Sequence, residues 1–506
     1  MKFFNRKQIR RRRQRQDVGG GRVQGEAFET LEGRRLLSTY YAAPSGSDSA
    51  AGSLNAPFAS LSKAVGTAKA GDTIILRGGT YNGNVTINKA NITLEGYTGE
   101  VAKITTPTTS ASGAFGLDLG TEAQGVTLRN LDISGGYYYA VKTETTRSYD
   151  DTTASYHGAS NILFDNVKMH DSGTHVVKLS PDSDHITFRD CEIYNSGRRD
   201  ANQGQGIDAV NVDDLLFEDN YIHDTTQNAI FVKGGSQRCV IENNRIDNAG
   251  YSGILLGQDT DAGAFDTVQN PQRYEAIDCV ARGNVIVNSK YSGIGTYSAK
   301  GTLIENNEIR GAGSTGQAGI FFSIGGGGVP GTDATVRGNT VQPVAGKPAV
   351  MILSGVFTGA PKFSNNHYYT SNKFEDDRIN FTGSLAQWQS KGYDAGSTYA
   401  ATAAPLTGDI NHDGLVNIDD YMVIDIQYPA GNSGAWWQAD ANLDGSLDTD
   451  DYVVIDANQL ALATAPSSVT AAPVQANAAV SSPSLSRTAQ LTDNTPDASD
   501  LTPPTL

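Results

Sequence analysis

Cysteine is scarce in this sequence: three residues in 506, at 191, 239 and 279. None stands in a closely spaced pair, which excludes a zinc-type cluster and a disulfide framework. Long apolar runs are missing too, so no transmembrane segment is expected. Hydrophobic residues make up 38%, and the central region has no apolar periodicity of helical length, which excludes a helical core there. Positive charge is in deficit, with 39 Lys and Arg against 55 Asp and Glu, a net charge of −16. An acidic chain is a poor partner for nucleic acid and a fair one for calcium.

The positive charge that exists is concentrated at the start. Residues 1–37 carry 11 Lys/Arg against 4 Asp/Glu, a balance of +7, which leaves −23 for the rest. "RKQIRRRRQRQ" reads as a disordered basic arm, and no folded basic domain accompanies it. A secretory signal would need an apolar stretch behind this arm, and the chain has none there. In its place stands "FETLEGRRLLS", Phe28–Ser38. It resembles the Leu-Glu-Pro-Arg-x-Leu-Leu motif at the start of many exported planctomycete proteins, with Gly33 in place of the usual Pro. The resemblance implies a planctomycete-type protein, secreted or at the cell surface.

Glycine, by contrast, is plentiful at 56 residues, and one phrase keeps returning. "LLFEDNYI", "VIENNRI", "TLIENNEI" and "ATVRGNTV" align on an Asn, giving the column Asn220, Asn244, Asn284, Asn307, Asn339 and Asn366. Leu131, Val167 and Cys191 occupy that column in earlier copies. Successive Asn are 24, 40, 23, 32 and 27 residues apart, the spacing of a solenoid with insertions. An apolar residue precedes each Asn by three positions and another follows it by two. Short strand-like runs such as "NAIFVKGG" and "SGILLGQ" come next, bounded by Gly and Asn. This pattern predicts a parallel β-helix, with the Asn amides turned inward and bonding their counterparts in adjacent coils. Cys239 and Cys279 share a column facing the core, one strand spacing apart, as buried thiols or a cross-coil disulfide.

The domain opens with "YYAAPSGSDSAAGSLNAPFASLSKAVGTAKAGDTIILRGGTYNG". This is similar to the opening segment of right-handed β-helix proteins of the pectate-lyase-like group, across about residues 39–400. Within it, Leu61, Ala64, Val65 and Ala68 mark one face of a short helix that would cap the solenoid.

After a small-residue linker the composition changes. "DINHDGLVNIDD" and "DANLDGSLDTDD" are twelve-residue loops of calcium-binding type, with Gly414 and Gly445 at the sharp turn. Their side-chain oxygen ligands are Asp409, Asn411, Asp413, Asn417 and Asp420, then Asp440, Asn442, Asp444, Asp448 and Asp451. Leu415 and Ser446 add backbone carbonyls. Each loop runs into "DDYMVID" or "DDYVVID". The doubled unit resembles a type I dockerin, which implies bound Ca2+ and docking onto a cohesin-type domain. In that family, loop positions ten and eleven help read the partner; here they are Ile418–Asp419 and Thr449–Asp450. The expected organisation is a leader over 1–38, a right-handed parallel β-helix over 39–400, a linker over 401–405, a dockerin over 406–461 and a low-complexity tail over 462–506.

For chemistry, the register turns Val177, Ile207, Ile230, Ile254 and Ile294 inward. Lys178, Asp208 and Phe231 then face outward on one sheet, with Lys233 two residues beyond Phe231. The insertions Arg198–Gln205 and Gln258–Arg273 flank this face. A polysaccharide lyase needs a base for the proton beside a uronate carboxylate and a cation to neutralise that carboxylate. Lys178, Asp208 and Lys233 are therefore the candidate catalytic residues, a lysine as base, with Asp208 and Asp200 available for a metal. The competing expectation is a surface salt bridge between Lys178 and Asp208. "AIFVKGGSQRCVIENN" resembles the pectate lyase phrase around a calcium-binding Asp, but Phe231 stands at that position and no Arg-x-Pro-x-x-Arg lies downstream. The family's catalytic residues therefore do not carry over. The expected function is a secreted lyase or glycoside hydrolase of polysaccharide catabolism, docked through its dockerin; the alternative is a non-catalytic surface or adhesion protein that binds glycan or serves as a spacer.

Overall fold

The computed structural model describes residues 37–148, 156–358, 361–405, 408, 410, 416–428, 436–443 and 446–464. The basic arm, most of the leader motif and nearly all of the tail lie outside these residues. From Ser38 onward the described residues form one compact unit.

That unit is a parallel β-helix built one coil at a time. In a representative coil, Leu216–Glu218 is followed by Tyr221–His223 and then by Ile230–Lys233. The first two strands of each coil join a 22-stranded sheet, and the third strands form a 12-stranded sheet. Three two-residue strands, Ser236–Gln237, Ala276–Ile277 and Ala299–Lys300, make a small third sheet. The named strands pair in parallel except at the far end, where Phe374–Asp376 and Phe381–Gly383 run antiparallel.

The repeated phrase is the corner between the first two strands. The residue before each ladder Asn takes positive φ, as at Asp219 (56°), Asn243 (55°), Asn306 (54°) and Asn365 (54°). Asn and Asp tolerate this left-handed conformation better than other residues with a Cβ. At Gly338 (φ 67°) a Cβ would lie 2.2 Å from Asn306 Oδ1, so a side chain there would have to displace that amide. The turn then aims the next side chain into the core. Asn220 Nδ2 donates to Asn244 Oδ1 at 2.8 Å, and Asn244 Nδ2 to Asn284 Oδ1 at 3.0 Å. Asn284, Asn307 and Asn339 continue the ladder at 2.9 Å each. Each amide also serves the backbone: Asn244 Nδ2 donates to Phe217 O and its N–H to Asn284 Oδ1. The ladder stops at Asn366, whose Nδ2 donates to Asp394 Oδ1. All six Asn are buried, so corner groups that would be stranded in the core are paired.

Around the ladder, isoleucines stack coil on coil and Phe164, Phe188 and Phe217 overlap at 4.3 and 5.0 Å. The three cysteines are buried free thiols, which decides between the two states open for Cys239 and Cys279. Helix α1 (Leu61–Thr67) buries Leu61, Ala64 and Val65 over one end of the solenoid, capped by Ser60. Helix α2 (Leu385–Gln389) closes the other end with Trp388, packed on Phe363 and Phe374.

The segment after Thr398–Ala400 is held rather than free. Arg310 donates to the carbonyls of Ala404 and Pro405, and Gln342 accepts from Ala404 N–H. Helices α3 (Ile418–Gln427) and α4 (Thr449–Thr464) come after it. Their repeated phrases clasp reciprocally: Tyr421 Oη donates to Asp456 at 2.5 Å, and Tyr452 Oη to Asp425 at 2.7 Å. No described helix is long and apolar enough to cross a membrane.

Candidate functional site

Parallel registration carries Lys178 beside Asp208, and Asp208 beside Phe231, on the outer face of the 12-stranded sheet. Their neighbours Val177, Ile207 and Ile230 point into the core with no exposure. Lys178 Nζ donates to Asp208 Oδ2 at 2.5 Å, and Lys233 Nζ stands 3.9 Å from Oδ1. The three predicted residues therefore converge. They do so under cover: Asp208 is 1% exposed, Lys233 6% and Lys178 8%. The contact between Lys178 and Asp208 is thus a buried ion pair, where a solvated surface bridge was the competing expectation.

Two further groups join them. His175 Nε2 lies 3.6 Å from Asp208 Oδ2, with its ring stacked on Tyr139 at 5.8 Å. Glu275, also buried, accepts from Gly234 N–H at 3.0 Å and from Thr260 Oγ1 at 2.6 Å. His175 lies just before the strand Val177–Leu179, outside its alternation, so the strand pattern gives no signal for it. Glu275 closes an insertion whose path no periodicity predicts.

Electrostatics follow from this packing. Burial pushes the Asp208 carboxyl up, but Lys178, Lys233 and His175 outweigh it and hold it below the usual carboxylate range. Glu275 has less compensation, and burial raises it despite Lys233. Further along the same column, Asp118 pairs in register with Lys142, and Lys142 with Lys178. Burial, assisted by Glu144, pushes the Asp118 carboxyl up to about 7. Beyond Phe231 the face turns apolar, with Leu255, Tyr297 and Phe321 in one cluster.

The insertions form the rim. Arg199 donates to Tyr137 O and lies over that ring at 4.1 Å. Arg147 pairs with Asp182 at 2.5 Å and reaches Phe265 O in the second insertion. The Asp200 carboxylate caps the turn Ala201–Gln203, and the Asp208 carboxylate is engaged by lysine.

In the C-terminal loops, Asp409, Asn411, Asp413, Leu415 and Asp444 lie outside the described residues. Among the described residues no group of three or more His, Cys, Asp or Glu converges as a metal site. What is described is two matching halves. Asp420 accepts from the N–H groups of Ile410 and Asn417, and Asp451 from those of Asn442 and Asp448. Asp420, Asp440 and Asp451 are all buried. Burial and the neighbouring Asp440 raise the Asp451 carboxyl. Carboxylate and amide oxygens of this kind are the donor type a hard cation takes.

Two family profiles match the solenoid, described as Pel9A-like, right handed beta helix region over residues 40–213, and right handed beta helix region over 152–341. The solenoid is thus a right-handed β-helix. Pectate lyase PEL9 of Emericella nidulans is 46% identical over 80 residues, 14% of this chain and 20% of that protein's length. Among solved structures, an alginate lyase from Paenibacillus sp. is 19% identical with a TM-score of 0.44, covering 67% of this chain and 98% of that one. Pectate lyase Pel9A gives 14% and 0.37, over 74% and 80%. A GH136 lacto-N-biosidase from Eubacterium ramulus gives 12% and 0.44, over 72% and 68%. Likeness at this level leaves substrate and reaction to the site's own residues.

Proposed function

We propose that this right-handed β-helix, related over a short stretch to a pectate lyase, is a secreted enzyme that cleaves acidic polysaccharide along the outer face of its 12-stranded sheet. The observation that carries the reading is two lysine ammonium groups sharing one buried carboxylate, Asp208. Glu275 acts on Lys233 as well, so two ammonium groups face two carboxylates in a chain whose net charge is −16. A cation held in a covered site suits a uronate carboxylate. In such a reaction one of the two lysines must first give up its proton and, as the neutral amine, remove the proton beside that carboxylate, while the other keeps its charge against Asp208. The bond to the glycosidic oxygen breaks as the ring double bond forms, and the leaving oxygen takes up a proton. Asp208 holds Lys178 by a hydrogen bond through Oδ2, which His175 also approaches, and Lys233 stands beside its other oxygen.

The test is turnover on polygalacturonate, alginate and neutral glycans, followed by Lys178→Ala, Asp208→Ala and Lys233→Ala on the active substrate. Loss of a group that handles the proton should cost about 10²–10⁴-fold. An active wild type that keeps full turnover in all three variants refutes the site. One observation favours the alternative of a non-catalytic surface or adhesion protein: Lys178 and Asp208 already satisfy one another. Binding of a glycan without turnover across the screen would establish that reading instead.

The C-terminal unit is proposed as a calcium-loaded dockerin that tethers the enzyme to a cohesin-type domain. Asp420 and Asp451, with Asn417, Asp440, Asn442, Ser446 and Asp448, would hold the ions together with the loop residues outside the described set. The exposed stripe Ile418, Met422 and Ile426 on α3 supports a docked partner. Export through the leader motif supports a secreted or surface location.

A further inference from the structure

The C-terminal helices are seated on the solenoid through a buried contact between residues 195 positions apart. Arg245 stands on an inner strand of the 22-stranded sheet, beside Tyr221 in the preceding coil. Its Nη1 donates to Asp440 Oδ2 at 2.7 Å, while Nε and Nη2 grip Asp247 at 3.0 Å. Tyr221 Oη donates to the same Asp247 oxygen at 3.1 Å, and its ring stacks on Trp437 at 5.3 Å. Gln438 adds a long contact to Asp190. The Arg245 side chain is 5% exposed and that of Asp440 0%. Trp437, Ile424, Leu447 and Ile455 share one apolar cluster with Tyr221.

Asp440 is also the first ligand position of the second calcium-type loop. One carboxylate thus faces two cations: a guanidinium supplied by the solenoid, and the ion its own loop is patterned to bind. We propose that docking on the solenoid and calcium binding at the second loop oppose one another through Asp440, with Arg245 the resident cation of the docked state and calcium that of the released state. This rests on the calcium reading of the loops.

The physics is electrostatic. A guanidinium on one oxygen of a carboxylate repels a divalent cation on the other, and burial limits the screening that would soften the repulsion. Breaking the contact is not ruinous for Arg245, which keeps Asp247. Asp440 by contrast loses the guanidinium across the interface, which opens that oxygen to another cation. Coupling of this kind is reciprocal: whatever factor docking takes from calcium affinity, calcium takes from docking. The first loop has Asn417 and Asp420 but no described arginine contact from the solenoid, so the two loops should differ in affinity.

The experiment is calcium titration calorimetry of the full chain after chelation, on wild type, Arg245→Met and Trp437→Ala. Trp437→Ala removes the stacking contact without touching Arg245 or Asp440, which covers the case in which Arg245→Met folds poorly. Wild type should bind two ions of unequal affinity, and both variants should tighten the weaker one by about tenfold. Small-angle scattering of wild type should show extension at saturating calcium. Two ions bound with the same affinities in all three proteins, or scattering unchanged by calcium, would overturn the proposal while leaving the calcium reading intact. No binding in any of the three would remove that reading and the proposal with it.

Discussion

A ladder asparagine is a side chain with no freedom to be anything else. Asn244 pairs with Asn284, with the carbonyls of Phe217 and Glu242, and accepts from Asn220. Leucine has nearly its volume and none of these bonds, so Asn244→Leu should destabilise the solenoid by about 1–3 kcal/mol, from corner groups left unpaired. Thermal melts followed by circular dichroism would measure it; a variant as stable as wild type would mean the ladder contributes nothing net. His170 gives a second residue-scale expectation. Burial disfavours its charged form, but Asp132 and Asp171 outweigh burial and hold its pKa above the ordinary value. Its stabilisation is then complete below the unfolded value of about 6.5 and is lost as pH rises through the folded one. His170→Gln should therefore lower the melting temperature at about pH 5.5 and much less at about pH 9. An equal loss at both would show that the ring only packs against Tyr194.

At the scale of elements, the two C-terminal helices show one phrase used twice. Each tyrosine of the duplicated phrase reaches the aspartate of the other helix, so the duplication builds a clasp. The same geometry leaves Ile418 67%, Met422 52% and Ile426 68% exposed on α3, a spacing of one helical face. Such a face on a short helix costs solubility unless something covers it. On the proposed docking to a cohesin-type domain, Met422→Asp should weaken that binding more than tenfold, read by calorimetry, and leave the melting temperature within about 1 °C, because an exposed side chain carries little stability. Equal binding by the variant would place the partner surface elsewhere.

Over the whole molecule, a solenoid is a one-dimensional stack whose ends are its weak points. Trp388 seals the far end and is 1% exposed, against Phe363, Phe374 and Tyr393. Trp388→Ala should cost about 3–5 kcal/mol. Because each coil touches only its neighbours, the loss should appear as fraying of the coils after Asn339, with those around Lys178 retained. Hydrogen exchange by coil would show this; uniform loss of protection would mean the stack unfolds as one unit. The same linear build sets out the outer face in order, with Asp118, Lys142, Lys178 and Asp208 in one column before Phe231 turns it apolar.

The period of the repeat, the inward Asn column, the capping helix and the outward parity of Lys178, Asp208 and Lys233 were all legible in the sequence. Each follows from local rules: one left-handed residue makes a corner, alternate residues of a strand share a face, and parallel stacking repeats both. The duplicated C-terminal phrases were equally plain, because a repeated phrase and a helix pattern are local too. What no local rule carries is how far a side chain is covered and by which distant segment. The burial of the Lys178–Asp208 pair is not contained in the alternation of its strands, and Glu275 arrives at the end of an insertion with no period. The meeting of Arg245 with Asp440 joins two parts of the chain that share no repeat, register or motif. Their separate patterns identify a solenoid corner and a repeated acidic loop; only packing brings the two charges together, because a buried charge needs an opposite one wherever in the chain it comes from.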